Sequence, residues 1–139
     1  MDPVVWGPHY WFFLHTMASN YPKNPTSVQK KIHYRLVHNM HEFIPHRESA
    51  NLFSSLLAEF PVAPYLDTRE DLVRWVHMIH NKVNAVLEKP AVSLHRHKDA
   101  MKNLYAPTAT RLQKHIKNNT IVVYVLFVSM LGLVIGLNR

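Results

Sequence analysis

Apolar residues recur along this chain at intervals of three to five, a rhythm that predicts helices, and no stretch alternates convincingly as a strand. Between residues 6 and 20, Trp6, Trp11, Leu14, His15 and Ala18 follow it, which predicts a first helix with an unusually aromatic face, stopped by "YPKNPT". Thr26 is a suitable N-cap for a second helix to about Phe43, with Val28, Ile32, Leu36, Val37 and Met40 expected on one side. Ile44-Pro45 breaks that helix, and Pro45 can open a third over about 46–59, carrying Leu52, Phe53, Leu56 and Leu57. The two prolines of "FPVAPYLD" end it. Thr68, with Asp71 three residues on, resembles a capping box and starts a long fourth helix to about Glu88. That helix should bury Leu72, Trp75, Val76, Ile79, Val83 and Leu87 before Lys89-Pro90 closes it. With a short fifth helix near 96–105, the pattern predicts an all-α fold: a four-helix bundle plus a short fifth helix.

The pattern changes near the C-terminus. Ile121 to Leu137 is a run of 17 residues without a charge, relieved only by Tyr124 and Ser129. At 1.5 Å per residue it reaches about 26 Å, the short end of what spans a bilayer core. A C-terminal transmembrane helix is therefore expected. With no apolar segment near residue 1, the sequence reads as tail-anchored, with the bundle on the cytosolic face and the lipid bilayer as a partner. The expected organisation is a bundle over 1–94, a short helix and basic juxtamembrane connector over 95–119, and the anchor over 120–139.

Charge sharpens this division. The chain carries a formal +7, but residues 1–94 hold nine Lys/Arg against eight Asp/Glu, whereas 95–117 hold six against Asp99 alone. A basic segment just before an apolar run suits anionic lipid head groups. No nucleic-acid reader motif accompanies it, so nucleic acid is not an expected partner.

The chain has no cysteine, which excludes a disulfide scaffold, a thiolate zinc site and redox chemistry by its own thiols. Its eleven histidines form no metal-binding motif, and no metal site is expected. On the fourth helix, His80 and Asn84 are four apart on one face with Asn81 beside them, and on the first, Trp11 and His15 are four apart. Asparagine is a poor helix former, so something should reward Asn81 and Asn84. Spacing alone leaves two readings open: interior histidines hydrogen-bonded across the bundle, or the two faces of a binding site. A nucleophile pair of Ser49 and His46 is set aside, because no third orienting group or oxyanion motif is visible.

The order of "WGPHYWFFLHTMASNYP", a helix, a proline-started helix and "WVHMIHNKVNAVLEKP" resembles the Erv/ALR family of FAD-linked sulfhydryl oxidases, in wording similar to members from large DNA viruses. The resemblance runs from Trp6 to about Pro90. It implies a four-helix bundle with a short fifth helix, often dimeric, with FAD at the mouth of the bundle. Carried over position by position, the flavin contacts would fall on Gly7, Trp11, His15, Tyr21, His80, Asn81, Asn84 and Lys89. Where the family has its Cys-x-x-Cys pair, this chain has His46 and Ser49, and where a second pair braces the fourth helix, it has His77 and Leu94.

On these grounds the sequence predicts no catalytic residue and no enzyme. It predicts a membrane-anchored relative acting as a structural or adaptor protein, concretely a viral minor capsid component linking capsid to inner membrane. Capsid or assembly proteins would be its partners, with a homodimer as the family's common state. No cofactor is the first expectation. FAD is the alternative, in a flavin-binding redox or electron-transfer module, and a third option is a partner of a cysteine-bearing thiol oxidase.

Overall fold

The structure, a computed structural model, describes residues 1–107, 117, 119–121, 123 and 124. The described residues are helical, without a strand. They divide into two compact units, Met1–Leu94 and His95–Arg139.

In the first unit, α1 spans Pro3–Ser19 and begins three residues ahead of the sequence expectation. The Asp2 carboxylate accepts the Val4 N–H at 2.8 Å, and Pro3 occupies the first turn, where its missing N–H costs nothing. Pro8 lies inside the helix on its exposed side.

Helix α2, Ser27–His38, starts in a complete capping box: Thr26 Oγ1 accepts the Gln29 N–H while the Gln29 amide oxygen accepts the Thr26 N–H. It stops at His38, and the expected continuation to Phe43 is a 3-10 turn, Met40–Phe43, that tucks Met40 into the core. Val28 and Ile32, expected on the inward side, are 64% and 57% exposed. The phase explains it: nine residues at 100° each put Val28 opposite the fully buried Val37, so the two cannot share a face.

Helix α3, Arg47–Glu59, is capped by the His46 side chain, so His46 precedes the helix. It turns Phe53 and Leu56 inward. A second 3-10 turn, Ala63–Tyr65, leads to α4, Arg69–Val86, whose cap is Thr68 with the Asp71 N–H on its hydroxyl at 3.1 Å.

The end of α4 is a Schellman turn. Glu88 takes a left-handed φ of 55°, its N–H donates to the Ala85 carbonyl, and the Lys89 N–H donates to the Asn84 carbonyl at 2.8 Å. The helix therefore stops at Val86, and Leu87, expected in the core, is 52% exposed.

The core gathers where α1 packs on α4, closed by α3 and the turns. Trp75, Tyr21, Leu72, Ile79, Val37 and Val76 are its largest fully buried side chains. Two buried polar tips are satisfied by loop carbonyls: the Trp75 indole N–H donates to Phe60 O at 3.0 Å, and the Tyr21 hydroxyl to Leu66 O at 2.9 Å. These bonds hold the loops after α3 onto the bundle.

Helix α5 spans Leu94–Tyr105, starting at the last residue of the first unit, with His95 and Asp99 paired one turn apart at 3.2 Å. The expected span Ile121–Leu137 lies mostly outside the described residues. Among the described residues, no helix is long and apolar enough to cross a membrane.

Candidate functional site at the α1–α4 seam

Gly7, Trp11 and His15 sit four apart on α1 and so share a face, and His80 and Asn84 do the same on α4. Packing of the two helices brings these faces together. Trp11 and His80 stack with ring centroids 4.1 Å apart and planes 6° from parallel. His15 Nε2 meets His80 Nδ1 at 2.9 Å, one imidazole donating and the other accepting, and His15 is only 3% exposed. Phe53 of α3 closes the group edge-on to Trp11 at 6.5 Å. Helical spacing alone does not mark Phe53 as a site residue. Its position one turn beyond Ser49 on α3 was the available signal.

Two stretches bound this cluster. Beside Gly7, a Cβ would meet no atom within 4 Å, so α1 leaves open space one turn above Trp11. Past Asn84, the Schellman turn ties the Lys89 backbone to the Asn84 carbonyl and so fixes where the lysine leaves the helix.

Tyr21 and Asn81 stand apart from the cluster. Tyr21 is fully buried, its hydroxyl is engaged by Leu66, and its ring meets His33 edge-on. Burial, and secondarily the Asp67 carboxylate, push its phenol above the ordinary value. Asn81 holds the Val92 backbone by two bonds: Nδ2 donates to Val92 O at 2.9 Å, and Oδ1 accepts the Val92 N–H at 3.0 Å. The same amide nitrogen lies 3.1 Å from His77 Nε2, which accepts from it. Burial lowers the His77 pKa, partly opposed by a backbone hydrogen bond with Val92. His77, Asn81 and Val92 thus brace α4 against the segment after it, the place where the family resemblance put a cysteine pair.

At the start of α3, His46 Nδ1 lies 2.9 Å from Ser49 Oγ, and His46 Nε2 lies 3.0 Å from Glu48 Oε2. The orienting group missing from the sequence reading is Glu48. Among the described residues no group of three or more His, Cys, Asp or Glu side chains could hold a metal ion.

The helical bundle that carries this cluster has counterparts among solved structures. The crystal structure of the FAD binding domain of Erv1 from Saccharomyces cerevisiae matches this fold with a TM-score of 0.64 at 34% identity, over 68% of this chain and 89% of that one. The profile of the Erv1 / Alr family matches residues 8–103, and the chain belongs to that family.

Among its relatives, the mitochondrial FAD-linked sulfhydryl oxidase erv1 of Schizosaccharomyces pombe is 38% identical over 89 residues, 64% of this chain and 49% of the relative. The probable FAD-linked sulfhydryl oxidase R368 of Acanthamoeba polyphaga mimivirus is 34% identical over 85 residues, 60% of this chain and 59% of the relative. The chain spans about half the length of these relatives.

These relatives overturn the expectation that the chain is no enzyme. They are named as FAD-linked sulfhydryl oxidases, and the chain stands within an oxidase family that includes viral members. The missing cysteines do not decide against it, because thiols to be oxidised can be carried by another molecule.

Proposed function

We propose that the Met1–Leu94 unit is a flavin-binding redox module that uses FAD to oxidise thiols brought by a second molecule. The observation that carries this reading is the Trp11–His80 stack joined to the buried His15–His80 hydrogen bond. The donor set suits the cofactor. Parallel aromatic and imidazole planes suit a flat ring, and the Asn84 amide and Lys89 ammonium suit ribose and phosphate oxygens. The open space beside Gly7 allows a ligand to approach the α1 backbone.

Bound FAD would supply the acceptor for the two electrons released when two thiols join as a disulfide. This chain has no thiol to relay them, so its own residues bind and orient. The buried Phe53 packs edge-on against Trp11, and His15 fixes the His80 ring through their hydrogen bond. Holding His80 rigid against Trp11 presents a preorganised surface, which lowers the ordering cost of binding.

The test is purification with added FAD. The protein should carry visible flavin absorbance, and its melting temperature should rise with FAD concentration as ligand linkage requires. Trp11→Ala and His80→Ala should lose both signals. A colourless wild-type protein whose melting point ignores FAD would sink this reading.

For the C-terminal end, the uncharged run Ile121–Leu137 behind the basic connector supports a bilayer tether. Deleting 120–139 should move the protein out of carbonate-washed membranes. If the truncated protein still pellets with them, this run is not the tether.

A further inference from the structure

We propose that Ser49 is an activated hydroxyl that accepts acyl or phosphonyl groups from small activated esters, independently of any flavin. Three side chains carry the inference. His46 Nδ1 accepts from Ser49 Oγ at 2.9 Å and also from the Ser49 backbone N–H at 3.4 Å. Two donors on Nδ1 leave the neutral ring's proton on Nε2, where the Glu48 carboxylate accepts it at 3.0 Å. Nucleophile, base and orienting carboxylate therefore stand in sequence, with the tautomer that lets Nδ1 take a proton from Ser49.

The surroundings suit the reaction. Among the first-turn N–H groups of α3, those of Ser49 and Ala50 go to the His46 side chain and carbonyl. Those of Arg47 and Glu48 have no protein acceptor among the described residues and can meet an oxyanion. Ser49 is half-buried and open to a small reagent.

In the step itself, Ser49 Oγ forms a bond to the acyl carbon while its proton passes to His46 Nδ1. The carbon–oxygen bond to the leaving group then breaks, and that proton goes to the departing oxygen; with a fluorophosphonate the new bond is to phosphorus, the phosphorus–fluorine bond breaks, and fluoride departs. Water, deprotonated by the same nitrogen, releases the acid and restores Ser49. Glu48 is 80% exposed, so its charge is screened and the activation is modest.

The full chain, without added FAD, is treated with a fluorophosphonate probe, and the peptide containing Ser49 is weighed by mass spectrometry. Wild type should gain one phosphonyl group there, and Ser49→Ala none. His46→Asn keeps an oxygen that can cap α3 but removes the base. It should label at least about ten-fold more slowly with an unchanged melting temperature, a smaller loss than the roughly 100-fold or more usual for a positioned general base because Glu48 is exposed. No adduct at Ser49, or equal labelling in wild type and His46→Asn, would mean that His46 and Ser49 only cap a helix.

Discussion

The His15–His80 contact joins residues 65 apart in the chain, whereas the His46–Ser49 contact joins residues three apart. Both pair a histidine side chain at about the same distance. The first exists only because α1 and α4 pack together. The second needs only the first turn of α3. A site of the first kind is therefore tied to global stability, and one of the second kind can change chemistry while the fold stays intact.

The sharpest way to break the comparison is through the core residue that aligns α4. Trp75 is 1% exposed, and its N–H is taken by Phe60 O. Trp75→Ala should cost about 3–5 kcal/mol and dismantle the seam while leaving the α3 cap chemistry to a partly folded chain. Urea melts followed by circular dichroism measure the first effect, and fluorophosphonate labelling the second. A smaller effect is expected at His80. His80→Ala removes a stacked ring and a hydrogen bond, together about 1–2 kcal/mol, and raises exposure of Trp11, visible as a red shift of its fluorescence. His46→Ala should cost about 1 kcal/mol, the value of an N-cap, without touching the Trp11 signal. Equal fluorescence changes in both variants would erase the distinction between the two sites.

Legibility in the sequence follows the same division. The local devices at Thr26 and Thr68 are spelled out by the residue types around them and were readable. Asp2 and the His46 cap are equally local, yet Asp2 lies ahead of the first apolar repeat and Pro45 offers a competing start for α3. Val28 and Ile32 misled because a list of apolar residues three or four apart drifts around the helix, and the drift reaches 180° by Val37. For the seam, spacing gave the two faces, but only topology could say that they meet and that Phe53 joins them. Asn81 shows the limit best. Its presence in a helix signalled that something rewards it, and the reward is the Val92 backbone, which no periodicity reveals.

The smallest effect concerns the brace at the end of α4 and depends on pH. His77 has a folded-state pKa below the ordinary imidazole value of about 6.5, chiefly through burial. A lowered pKa means that the folded state favours the neutral ring, so this contribution to stability is fully present above about pH 6.5 and is lost as pH falls through the lowered value. A backbone hydrogen bond with Val92 opposes that shift, and a proton on His77 Nε2 would break the bond this nitrogen accepts from the Asn81 amide. Asn81 cannot turn its oxygen round, because Oδ1 holds the Val92 N–H. Acidification from about pH 7.5 to about pH 5 should therefore speed amide exchange at Val92 before the core opens. In His77→Gln, whose amide oxygen can accept the same bond without titrating, Val92 exchange should show no such acid step once intrinsic rates are divided out. An identical step in both proteins would assign the acid sensitivity to another group and leave Asn81 alone as the clamp on Val92.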